Sequence, residues 1–144
     1  MKVLFDTNII LDVLLNREPF IGKSAQLVGL VEQKKIEGYL CATTITTLDY
    51  LLCKTLGHKQ ASLAVHKLLS IFNIADVNAM VLRLAIHSEF KDFEDAAQYF
   101  SGECCVVDAL VTRNIKDYKA SQYPVYTPDM LLKAFEVYTL NQKT

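Results

Sequence analysis

The chain has 144 residues, the length of one compact domain. Apolar residues make up 51% and charged residues 22%, which excludes a disordered chain and supplies a real core. Lys and Arg number 15 against 16 Asp and Glu, so the net charge of −1 excludes a general basic field, and an anionic ligand must meet a local patch or a bound cation.

Val3-Leu4-Phe5 is a short apolar run that reads as a buried strand ending at Asp6. Ile9 to Leu15 is apolar except for Asp12 and predicts a short helix before Asn16-Arg17-Glu18-Pro19. Residues 22–36 place Ala25, Leu27, Val28, Leu30 and Val31 at helical spacing, with Gly38 expected as the stop. Tyr39 to Thr43 predicts the second strand, ending in a Thr-rich turn. Helices are expected over 45–56 and 59–70, broken by Gly57-His58. Ile71 to Val77 is the third strand, after which Asn78 caps a helix to Ser88. Asp92 caps the next helix, to Ser101, and acids in its first turn suit the helix dipole. Cys105 to Val107 with Ala109 to Thr112 reads as a fourth strand kinked at Asp108. Pro124 to Tyr126 is a short edge strand, and a last helix starts with Pro128 at its first position. This alternation predicts one domain over residues 1–144, a three-layer α/β sandwich with a mainly parallel central sheet.

The cysteines, Cys41, Cys53, Cys104 and Cys105, lack C-x-x-C spacing and read as reduced thiols of a cytoplasmic chain. An acid after only three apolar residues argues against a signal peptide at the start. No apolar run approaches the roughly 20 residues of a membrane span.

In parallel α/β sheets, ligands collect beyond the carboxyl ends of the strands. Asp6-Thr7-Asn8 follows the first strand there, and Thr43, Thr44, Thr46 and Thr47 follow the second, with Asp49 expected in the first turn of the next helix. Asp92, Glu94 and Asp95 open the helix before the fourth strand, and Thr112-Arg113-Asn114 with Asp117 follows that strand. Carboxylates gathered at one edge repel, by up to about 4 kcal/mol per close pair at an effective dielectric of about 20. A divalent cation relieves this, and carboxylate oxygens suit Mg²⁺ or Mn²⁺. Such an ion can orient a phosphodiester and activate water, so the residues point to a metal-dependent hydrolase of a phosphate ester. The plain alternatives are that Asp6 shapes a strand-end turn, that Asp92 and Asp95 form a capping pair, that Asp12 is a structural hydrogen-bonding residue, and that Glu94 is solvated. Arg113, Lys116 and Lys119 are candidate phosphate contacts.

The segment Val3-Leu4-Phe5-Asp6-Thr7-Asn8-Ile9-Ile10-Leu11-Asp12 resembles the first motif of PIN-domain proteins, and Val111-Thr112-Arg113-Asn114-Ile115-Lys116-Asp117-Tyr118 resembles their last. The resemblance implies a parallel α/β sandwich, a Mg²⁺ or Mn²⁺ site of three or four acids, and ribonuclease activity. Many such proteins are VapC-type toxins paired with an antitoxin and often dimeric. Carried onto this chain, it implies Asp6, Asp95 and Asp117 as metal ligands and Asp49 as a further catalytic acid. Thr7, Asn8, Thr112, Arg113 and Asn114 would position water or the scissile phosphate of an RNA. Two departures stand out: Asp49 is where the family usually has Glu, and Asn114 where it often has Asp. They motivate an alternative, a weakened PIN-like module that binds RNA or protein as a scaffold. A phosphatase forming a phospho-aspartate on Asp6 would want a second Asp two residues later, where this chain has Asn8.

Overall fold

The computed structural model describes residues 1–143. In chain order the elements are β1 (Lys2–Phe5), α1 (Thr7–Leu14), α2 (Ile21–Glu32), β2 (Glu37–Cys41), α3 (Ala42–Leu56), α4 (His58–Ile71) and β3 (Asn73–Ala75). There follow α5 (Ala79–Ile86), α6 (Phe93–Cys104), β4 (Ala109–Val111), a 3₁₀ turn (Ile115–Tyr118), β5 (Val125–Tyr126) and α7 (Pro128–Gln142).

Every strand pair is parallel, in the order β3-β2-β1-β4-β5. Leu4 sits beside Tyr39 on one side and Leu110 on the other, which makes β1 the middle strand. Parallel central strands are covered on both faces and so read as unbroken apolar runs, as Val3-Leu4-Phe5 does. Val3 and Phe5 point into a core shared with Ile9, Leu27, Leu48, Leu68 and Leu131, from α1, α2, α3, α4 and α7. Leu4 points the other way, toward Tyr99, Leu110 and Tyr118. Helices α5 and α6 close that second face through Ala85, Ala96 and Ala97. These are the three layers expected from the alternation.

Several boundaries differ from the expectation, each for a local reason. Gly38 lies inside β2 rather than ending a helix. A Cβ there would stand 2.6 Å from the Phe72 ring and 2.8 Å from Val31, so the strand needs a residue without one. Helix α2 stops earlier, at Glu32, where Lys34 turns the chain with φ of 61°. The second strand ends at Cys41, and α3 begins at Ala42 without the expected Thr-rich turn. Ile71 belongs to α4, which leaves β3 only three residues. Cys105 to Val107 is not strand: α6 runs on to Cys104, and Val106 reverses the chain with φ of 56°. Asp108 then anchors the start of β4, its Oδ2 accepting from the Lys2 amide at 2.7 Å. The two expected caps form, and Thr127 adds a third. Asn78 accepts from Val81 N–H, Asp92 from Asp95 N–H and Thr127 from Met130 N–H.

Candidate active site

After β3 the chain crosses β1 to place β4 on its far side, so the strand order reverses between β1 and β4. Such a switch point opens a crevice at the carboxyl ends of the strands. Asp6 leaves β1 there, its amide donating to Val111 O of β4 at 3.0 Å. Thr112 leaves β4 beside it, and its Oγ1 donates to Asp6 Oδ2 at 2.6 Å.

Helix α6 brings the second acid. Asp95 and Gln98, three residues apart, share one helix face. Gln98 is 3% exposed and its amide is saturated. Nε2 donates to Asp6 Oδ1 at 3.1 Å and to the Tyr118 hydroxyl at 2.6 Å, while Oε1 accepts from Thr44 Oγ1 at 3.0 Å and Thr7 Oγ1 at 3.4 Å. The Thr7 and Thr44 hydroxyl oxygens lie 2.9 Å apart. The Tyr118 hydroxyl donates in turn to Asp95 Oδ1 at 3.3 Å. A continuous path, Asp6–Gln98–Tyr118–Asp95, therefore fixes both carboxylates from below.

Above them lies a cleft of about 170 Å³, lined by Asp6, Thr7, Asn8, Leu11, Thr43, Thr44, Thr47, Leu51, Glu94, Asp95 and Gln98. Thr43, Thr47 and Leu51, at four-residue spacing, form its α3 wall, and Thr47 Oγ1 donates to Glu94 Oε1 at 3.0 Å. No Lys, Arg or His is among the lining residues. Burial, followed by the charges of Asp6, Asp92 and Asp117, raises the Asp95 carboxyl to about 6, against a small opposing effect of the Tyr118 hydroxyl. Burial and the same two acids, Asp6 and Asp95, also hold the Tyr118 phenol protonated, as a donor.

These residues fit a hard divalent ion. The lining donors are carboxylates, hydroxyls and amides, and the negative charge at Asp95 is uncompensated by any side-chain cation in the cleft. Among the described residues, no three His, Cys, Asp or Glu side chains could enclose a metal by themselves.

A PIN domain family model matches residues 2–116, from β1 into the 3₁₀ turn. The chain belongs to the PIN domain family. Solved PIN structures share its fold. The toxin–antitoxin complex from Klebsiella pneumoniae is 23% identical with a TM-score of 0.66, over 88% of this chain and 97% of that one. DNA-bound VapBC from Salmonella typhimurium is 14% identical with a TM-score of 0.67, over 89% and 98%. Mycobacterium tuberculosis VapC20, described as a sarcin–ricin-loop-cleaving toxin, is 14% identical with a TM-score of 0.65, over 82% and 94%. No curated protein matches the chain.

In this PIN domain Asp6, Asp95, Thr7 and Asn8 meet at one cleft, and Thr112 supports it from β4. Asp49 does not join them. Because α3 starts at Ala42, Asp49 falls two residues past Thr47, about 200° around the helix from the cleft wall. It is exposed, its Oδ1 lying 3.8 Å from Cys53 Sγ. Asp117 is exposed on the 3₁₀ turn, lines a neighbouring hollow and reaches Asp95 through its field. Asn114 caps that turn, its amide donating to Thr112 Oγ1 at 3.1 Å. Arg113 turns away from the cleft: its Nε lies 2.7 Å from Oδ2 of the fully buried Asp12, and its guanidinium stacks 4.0 Å over Phe20. Asp12, with Arg17 3.8 Å away, is the structural residue expected.

Sequence reasoning missed Gln98 and Tyr118, placed Thr44 at the strand end without a role, and set Glu94 aside as solvated. The available signal was Gln98 as the one polar residue in Ala96-Ala97-Gln98-Tyr99-Phe100, three positions after Asp95.

Proposed function

We propose that this PIN domain is a metal-dependent endoribonuclease in which Asp6 and Asp95 hold a Mg²⁺ or Mn²⁺ ion, and that it acts in the cytoplasm as the toxin of a toxin–antitoxin pair. The observation that carries the reading is the meeting of Asp6 and Asp95, 89 residues apart in the chain, at a cleft lined by no cationic side chain. When bound, such an ion neutralises phosphate charge and makes water a better nucleophile. The chain's own residues supply position. Thr112 and Gln98 occupy one lone pair on each Asp6 oxygen and leave the others without a side-chain donor. Tyr118 orients Asp95. Asn8 and Thr43 offer donors to the phosphate oxygens from the rim, while Asp117 acts on Asp95 through charge alone. The toxin reading is supported by the toxin–antitoxin complexes that share the fold and by the toxin that cleaves the sarcin–ricin loop. An antitoxin is the partner this implies. Exposed Tyr50, Leu56, Leu63 and Leu69 on α3 and α4 offer apolar area for a homodimer. No helix of the described residues is long and apolar enough to cross a membrane.

The displacement of Asp49 from the cleft favours a second reading, a weakened module that binds RNA or protein without cutting. One experiment separates the two: cleavage of single-stranded RNA with Mn²⁺ or with EDTA. The nuclease reading expects cutting only with the metal, and a loss of roughly 100-fold or more in Asp6→Asn. A folded Asp6→Asn chain that cuts normally contradicts it, and a wild-type chain that binds RNA uncut establishes the scaffold.

A further inference from the structure

The 3₁₀ turn Ile115–Tyr118 has two faces. Tyr118 is buried, with its hydroxyl on Asp95. Lys116 and Lys119 are exposed, and three residues apart they stack on one side of such a turn. Together with Lys91 and Phe90, from the loop before α6, they line a hollow of about 410 Å³, rimmed also by the acids Glu89 and Asp117. Among the described residues, the ion pairs use Arg17, Lys23, Lys67, Arg113 and Lys133. The three lysines of the hollow are in none of them. Phe90 packs edge-on against Tyr118, with ring centroids 6.0 Å apart, and the Tyr118 hydroxyl donates to Asp95, so one buried side chain links the hollow to the acidic cleft. Arg113, the remaining cation of this stretch, is committed to Asp12.

Resting on the nuclease reading, we infer that this hollow is a second subsite for the substrate, in which Lys91, Lys116 and Lys119 hold backbone phosphates of single-stranded RNA flanking the bond that is cut. The chemistry divides between the two depressions. An acidic cleft repels a polyanion and needs an added ion at the reacting phosphate. Lysines beside it hold the neighbouring phosphates without one. Phe90, half-buried against Tyr99, Phe100 and Tyr118, lines the hollow and would give a base an aromatic contact, as in other single-strand sites. One strand running from hollow to cleft would enter it at the Asp95 side.

The test is a fluorescence anisotropy titration of a labelled RNA of roughly ten nucleotides, long enough to span both depressions. The protein is the full Asp6→Asn chain, with and without Lys116→Gln and Lys119→Gln. Removing two phosphate contacts is expected to weaken binding roughly tenfold or more at about 0.1 M salt, and to lower the slope of log affinity against log salt by about 1.4. Lys34→Gln with Lys35→Gln, an equal loss of charge just before β2, is the comparison and is expected to change little. Equal weakening by the two pairs overturns the subsite, as do unchanged binding and the absence of measurable binding by the parent chain. Cutting by the wild-type chain with Mn²⁺ is scored separately. Failure of the nuclease reading shows there as an uncut strand, and failure of the subsite shows as RNA that is cut yet bound without regard to Lys116 and Lys119.

Discussion

Gln98 spends its whole amide inside the fold, two N–H bonds and two accepted ones, and so ties together groups from β1, α1, α3, α6 and the 3₁₀ turn. A leucine there would fill the space and leave Asp6 Oδ1 and the Tyr118 hydroxyl each short of a partner. Gln98→Leu is expected to lose about 2–4 kcal/mol in urea unfolding, because buried polar groups left unpaired carry their desolvation cost. It should also weaken Mn²⁺ binding about tenfold by calorimetry, since Asp6 loses its orienting donor. Asp95 makes a prediction of opposite sign. Its carboxyl lies at about 6 in the folded, metal-free chain against 3.8 ordinarily, so the folded state holds the proton more tightly. Its contribution to stability is then full below about pH 4 and is lost as the pH rises through about 6. In EDTA, Asp95→Asn should match the wild type near pH 4 and melt above it at pH 7; equal melting of the two at both pH values contradicts the shift. Asp6 was readable from sequence because an acid directly after a buried run has few structural excuses. Gln98 was not, because a neutral amide signals chemistry only once its partners are known, and they come from four other elements.

At the level of elements, errors of one turn had consequences for the site. Thr43 read as the end of a strand, followed by a Thr-rich turn into a helix from residue 45, since β-branched residues favour strands and Thr caps helices. Tertiary packing instead carried α3 back to Ala42, which moved Asp49 off the cleft and put Thr43, Thr44 and Thr47 along it. The kink expected at Asp108 was real but misplaced: the chain reverses at Val106, a β-branched residue in the left-handed region and 76% exposed. An L-residue there costs about 1–2 kcal/mol, more when β-branched, and Val106 recovers little by burial. Val106→Gly should therefore raise stability by about 1 kcal/mol in chemical denaturation and leave RNA cleavage unchanged. Destabilisation by that change would show that the Val106 side chain contributes packing that its exposure does not suggest.

For the molecule as a whole, the layer architecture was legible because apolar runs and amphipathic stretches alternate for the length of the chain, and that pattern has few solutions. Strand order was less so. The pairing of β1 with β4 joins residues more than a hundred apart, as between Asp6 and Thr112, and nothing local encodes it. That crossover makes the site: it sets Asp6 at a switch point, brings α6 over the end of β1 and leaves two carboxylates lining one cleft with no cationic side chain among its lining residues. The function proposed here depends on a divalent ion held in that cleft. Anomalous scattering from a Mn²⁺-soaked crystal tests it most directly. A peak is expected in contact with the carboxylates of Asp6 and Asp95, absent from an Asp6→Asn crystal soaked alike. A peak at Asp49, Cys53 and His58 instead, or no peak between Asp6 and Asp95 at saturating Mn²⁺, would contradict it.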